Sequence, residues 1–189
     1  MAILPIITAP NPLLKKTSLP VTKIDNDLQK LMDNMLATMY SQKGVGLAAV
    51  QVGVLKRVIV MDIEYSIDEC DGGDHHHHHN INDHISGHIS GQKPMFLVNP
   101  QIIKSSKEDS IFFEGCLSFP DIRADICRPK TVTIKYLDYN GLEQILEAND
   151  LLATCVQHEI DHLNGIMFID YLSKLKQEII IKKLKKLSQ

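Results

Sequence analysis

Gln157-His158-Glu159-Ile160-Asp161-His162-Leu163-Asn164-Gly165 is the stretch around which the chain is organised. Two histidines four apart on a helix share one face, about one turn of rise between them, so both imidazoles reach a single metal ion. The glutamate after the first histidine stands beside such an ion without serving as a ligand, placed to take a proton from water. The flanks predict a helix, with Asp150 as N-cap and Gly165 just past the end. Ala153, Val156, Ile160 and Leu163 form one apolar stripe, while Leu151, Cys155, His158 and His162 fall on another. Apolar residues on more than one side imply a buried helix. Buried histidines beside a glutamate need a partner, and a metal supplies one.

A hydrolytic metal site needs a third ligand and an open position. One large protease class takes a third histidine six residues after the second, but Phe168 stands there. Cys155 shares the helix face yet lies two turns from His162, too far for a short thiol to converge with it. The third ligand must therefore come from another segment. Ile111 to Pro120 is apolar and ends in a Gly115-Cys116 turn from which a thiol could face the ion; a buried structural cysteine is the equal alternative. Cys127, in a more polar context, is the competing thiol.

The remaining chain bounds the class. Its 189 residues suit one domain spanning 1–189, with 44% hydrophobic and 23% charged residues. A formal net charge of −3 argues against a dedicated DNA or RNA binder. Neither a membrane-length apolar run nor a signal or transit peptide is apparent. Four irregularly placed cysteines fit a reducing compartment rather than a disulfide framework. The expectation is a soluble cytoplasmic protein.

Four early prolines favour extended structure over residues 1–24, and Asp25 then opens an amphipathic helix that Gly44 ends. Gly44-Val45-Gly46-Leu47-Ala48-Ala49-Val50-Gln51 is a small-residue segment closing on one amide, able to let a substrate backbone approach and to donate to a developing oxyanion; a packing device is the alternative. Arg57 to Ile63 reads as a buried strand and Met95 to Asn99 as another, stopped at Pro100. Residues 64–93 are low-complexity and hold seven of the nine histidines, so a solvated surface insertion is expected there. Thr131 to Ala148 predicts a hairpin turning at Asn140-Gly141. Leu172 onward to 189 predicts an amphipathic helix, apolar at Leu172, Leu175, Ile179, Ile180, Leu184 and Leu187, with a lysine-rich opposite face. The mixture points to an α+β fold: mostly antiparallel sheets surrounding a central buried metal-binding helix, with a C-terminal amphipathic helix.

Three separated motifs together resemble peptide deformylase: residues 44–51, Glu114-Gly115-Cys116-Leu117-Ser118, and Gln157 to His162. The similarity spans about residues 5–180, and the histidine-rich stretch departs from the family's short connection. The resemblance implies removal of the formyl group from N-terminal formylmethionine of new bacterial or organellar polypeptides. It implies one divalent ion, Fe(II) by family habit with Zn(II) as a substitute, held by Cys116, His158 and His162. Metal-bound water would attack the formyl carbon with Glu159 as general base and acid, and Gln51 and the Leu117 N–H as oxyanion donors. The methionine pocket would be walled by Leu151, Thr154 and Cys155, completed by Val45 and Leu117, with Gly46 letting the substrate pair like an added strand. Arg123 would pair with Glu114 and hold the cysteine turn. Apart from the resemblance, the lysine-rich face of the C-terminal helix reads as a solvated face, with a negatively charged partner such as ribosomal RNA as the alternative. Two rivals make different demands: a peptidase would cleave unformylated peptides, and a metal carrier would bind several ions and ignore Glu159→Gln.

Overall fold

A run such as Val58-Ile59-Val60-Met61 is apolar at every position because both faces of its strand are covered. The computed structural model describes residues 1–64 and 93–187. In it, Val58 and Val60 face a helix, α1 (Asn26–Ser41), while Ile59 and Met61 face a second, α2 (Asp150–Leu163). Between them lies a five-stranded antiparallel sheet in the order β1 (Gly46–Ala48), β2 (Val58–Met61), β3 (Met95–Ser105), β6 (Thr131–Leu137), β7 (Glu143–Asn149). Strands β4 (Asp109–Cys116) and β5 (Phe119–Pro129) form a separate hairpin inserted between β3 and β6. The last helix, α3, covers Lys174–Leu187. The expected α+β class, antiparallel pairing and central helix are all present.

Local chemistry explains the elements. Asp25 caps α1 by accepting from the Leu28 N–H at 3.1 Å. Asn140-Gly141 turns β6 into β7, with Asp138 accepting from the Asn140 and Leu142 N–H groups at 2.9 and 3.0 Å. Asp62 is fully buried and accepts from Tyr40 Oη (2.6 Å), the Glu64 N–H (3.1 Å) and the Lys93 N–H (3.0 Å). One carboxylate thus fastens the chain on both sides of 65–92. The expected surface insertion at 64–93 lies, apart from its two ends, outside the described residues.

Three boundaries differ from the sequence reading. β3 does not stop at Pro100 but runs on to Ser105, because a register shift between Val98 and Gln101 removes the need for the proline's missing donor. Asn99 takes φ 52° there and bonds both backbone groups of Val21 with its amide, each at 2.8 Å. The cap of α2 is Asn149 rather than Asp150; Asp150 sits at φ 46°, so β7 passes into α2 without a loop. Helix α3 starts at Lys174, and only part of its apolar stripe is buried. Leu184 packs with Phe168 and Ile122, whereas Leu175 and Ile179 are 68% and 59% exposed. No helix among the described residues is long and apolar enough to cross a membrane.

A candidate metal centre

Helix α2 is buried along nearly its whole length, packed between β1, β2, β7 and the β4–β5 hairpin. Its C-terminus is sealed by Gly165 at φ 73°, where a side chain would also strike the Lys15 carbonyl. His158 and His162 lie one turn apart, ring centroids 4.9 Å from each other. The hairpin turn brings Cys116 to them, with Sγ 3.1 Å from His162 Nε2. One potential ligand atom from each of Cys116, His158 and His162 lies within 4.8 Å of the others. A thiol and two imidazoles converging in the interior is a donor set for a soft or borderline divalent ion. The fit is good.

The neighbours set the ring states. His158 Nδ1 faces Glu114 Oε2 at 2.8 Å, which leaves Nε2 toward the cluster. Burial disfavours a charged His158, but Cys116 and Glu114 outweigh it and hold its pKa well above the ordinary value. A cation at Nε2 would take that proton's place. Burial pushes His162 well below its usual pKa, with His158 adding to it, so this ring is a neutral donor. Its Nδ1 is buried with no hydrogen-bond partner among the described residues. Burial raises the Cys155 thiol well above its usual range. Cys155 instead reaches the Val45 carbonyl at 3.8 Å and lies outside the ligand cluster, as its spacing predicts.

Glu159 is buried, and burial lifts its pKa to about 7 against the opposing pull of His158. Its Oε2 has no hydrogen-bond partner among the described residues. Gly46 makes room for this side chain: a Cβ there would come within 2.6 Å of Glu159 Oε1 and 3.0 Å of Cys155 Sγ. Gln51 is held by the Ala48 N–H, which donates to its Oε1 at 2.8 Å. That bond aims Nε2 at Ser118 Oγ (3.1 Å) and Cys116 Sγ (3.5 Å). The amide therefore presents its donor end to the cluster.

A pocket opens beside these groups, lined by Val45, Gly46, Leu117, Thr154 and Cys155 together with His158 and Glu159. Leu151 is not among its walls. It lies two turns before His158, where α2 emerges from β7, and is only half-buried.

The partner of Glu114 is also corrected. In the hairpin register Glu114 stands opposite Ala124 and Gly115 opposite Arg123, so Arg123 points to the other face. Arg128 shares the face of Ala124 and reaches Glu114 with two bonds, at 2.6 and 3.1 Å. It also donates to Asp161 Oδ2 at 2.7 Å and lies over the Tyr171 ring, 4.9 Å from its centroid. Tyr171 Oη donates to the same Asp161 oxygen at 2.9 Å. Burial alone would raise Glu114, yet His158 and Arg128 hold it below the usual carboxylate value. Phe168, at the position where another protease class has its third ligand, stacks on His158 with centroids 5.9 Å apart. Arg128, Asp161, Tyr171 and Phe168 escaped the sequence reading; Arg128 was recoverable from its even spacing with Ala124 once the register was known.

Comparison with known proteins agrees with this geometry. Residues 3–178 match the family described as Polypeptide deformylase. A "Peptide deformylase" of Rickettsia akari is 47% identical over 187 residues, covering 99% of this chain and 97% of that one. One of Rhizobium meliloti is 44% identical, covering 98% and 94%. Among solved structures, a peptide deformylase from Ehrlichia chaffeensis is 42% identical, with TM-score 0.84 over 99% of this chain and 97% of that one. The Ehrlichia chaffeensis enzyme has also been solved in complex with actinonin, with TM-score 0.84 and 41% identity over 100% and 99%. Full-length similarity in sequence and in fold means that this chain, with its Cys-His-His cluster and adjoining glutamate, belongs to the polypeptide deformylase family of hydrolases.

Proposed function

We propose that this protein removes the formyl group from N-terminal formylmethionine of newly made polypeptides, using a divalent ion held by Cys116, His158 and His162. The observation that carries the reading is the convergence of these three side chains beside a buried Glu159 with a raised pKa. When bound, an ion at this donor set polarises a carbonyl and makes water a stronger acid. A thiolate with two imidazoles suits Fe(II) or Zn(II) and disfavours Mg(II) and Ca(II); Fe(II) is our choice.

Glu159 takes a proton from the attacking water as its oxygen bonds to the formyl carbon. Negative charge grows on the formyl oxygen, where Gln51 Nε2 and the Leu117 N–H act as donors. Glu159 then hands the proton to the leaving nitrogen, the C–N bond breaks, and formate and a free amine result. The methionine side chain lies in the pocket of Val45, Gly46, Leu117, Thr154 and Cys155. The substrate backbone adds alongside residues 44–46 as an extra strand, which the place of β1 at the end of its sheet allows. The six lysines of α3, all exposed, suit an anionic surface such as ribosomal RNA.

The test is formate release from formyl-Met-Ala-Ser by protein prepared without oxygen and loaded with Fe(II). Formate is expected, with no cleavage of unformylated peptides. Cleavage that ignores the formyl group would replace this reading with a peptidase, and several ions per chain without turnover would replace it with a metal carrier. The ligand set has its own check. Cys116→Ser should lower bound metal per chain at least about tenfold, whereas Cys127→Ser should leave it unchanged, because Cys127 is exposed and faces Ile111 across the hairpin. The reverse order would overturn the assignment.

A further inference from the structure

A large groove continues outward from the methionine pocket and shares Cys116 and Leu117 with it. Its volume is about 1210 Å³. Leu4 and Ile6 of the N-terminal segment form one wall, and Phe113, Phe119 and Ile122 of the β4–β5 hairpin form the other. The N-terminal wall is pinned at three points. The Leu4 N–H donates to Thr38 Oγ1 (2.8 Å), the Ile7 N–H to the Gln51 carbonyl (2.7 Å) and the Ala9 N–H to the Ser118 carbonyl (2.8 Å). The groove is thus preformed, and fastened to α1 at Thr38, to Gln51 and to Ser118, two residues after Cys116.

Its position relative to β1 decides what could enter it. Residues 44–46 run toward Gln51, and the formyl end of a substrate lies at Gln51 and Cys116. A peptide adding antiparallel to this segment therefore leaves the site past Gly44 toward Gln42, and Gln42 lines the groove. The exit of the substrate path and the start of the groove coincide. The lining carries Asp121 and Arg123, of opposite sign, so net charge does not choose between sequences, while Leu4, Ile6 and Phe113 offer apolar contact. Phe113 keeps 37% of its surface exposed in the wall, an apolar surface without cover in the free chain.

We infer, on the basis of the deformylase reading, that this groove receives the fourth and later residues of the substrate peptide and selects apolar side chains there. The experiment compares three peptides on the Fe(II)-loaded enzyme: formyl-Met-Ala-Ser, formyl-Met-Ala-Ser-Leu-Phe-Leu and formyl-Met-Ala-Ser-Gly-Ser-Gly. The Leu-Phe-Leu peptide should exceed the tripeptide in kcat/KM by about tenfold, as expected from covering one or two apolar side chains, mostly through KM. The Gly-Ser-Gly peptide should stay within about twofold of the tripeptide. In Phe113→Ala and Leu4→Ser the ratio between Leu-Phe-Leu peptide and tripeptide should fall toward one. That ratio is taken within each variant, so a smaller folded fraction does not alter it. Equal rates for all three peptides, an equal gain from Gly-Ser-Gly, or an unchanged ratio in both variants would each overturn the groove assignment while leaving the deformylase reading intact. No formate from any peptide would overturn both.

Discussion

Glu159→Gln is expected to lower kcat for formate release by about a thousandfold while one ion per chain stays bound. The amide has the size of the carboxylate, so the space beside Gly46 stays filled. What it lacks is basicity. A general base and acid typically contributes 100- to 10,000-fold, on the order of the loss expected here. A carboxylate with a pKa of about 7 is matched to giving and taking protons near neutral pH, and burial is what raises it. Metal content and rate are measured on the same sample. Retained turnover with retained metal would move the base to another residue.

Arg128→Leu is the substitution with the largest expected effect on stability. Arg128 is 3% exposed and Glu114 1%, and the pair shares two hydrogen bonds. Among the described residues, removing the guanidinium leaves Glu114 in the interior with only His158, and leaves Asp161 with only Tyr171. Breaking a buried pair from one side typically costs about 3–5 kcal/mol. For a chain of this size that lowers Tm by roughly 10 °C. Replacing both partners, as Arg128→Leu with Glu114→Gln, should recover more than half of the loss, because the most deeply buried uncompensated charge, that of Glu114, is then removed while Asp161 is the more exposed of the two. Thermal melts of the two variants decide it: a single variant as stable as the parent would show the network to be dispensable.

The two histidines, their glutamate and the buried helix could be read directly, since they follow from spacing along one element. Cys116 and Gln51 could be proposed only as residue types in suitable turns. They lie 65 positions apart in sequence, and local pattern carries no information about which turns meet. The same limit explains Arg123. Both arginines are near Glu114 in sequence, and the choice between them depends on hairpin register, which a two-residue turn at Leu117-Ser118 and its shifted pairing set. Leu151 failed for a related reason. Helical periodicity put it on the histidine face, but the pocket ends before the first turn of α2, a matter of depth rather than of angle. Pro100 misled because a bulge, invisible to propensity, absorbs it.

Asp62 bears on how this gene can change. Because it binds the chain at Glu64 and at Lys93, the stretch between them begins and ends at one place. Closing a longer excursion adds only about 0.6 kcal/mol per doubling of its length. Codons 65 to 92 can therefore be gained, lost or rewritten in frame while β2 and β3 keep their pairing at Met61 and Met95. The residues assigned to the site, from Gly46 and Gln51 to Cys116 and His162, lie on either side of that stretch, so a change of length at this one junction leaves their supports in place.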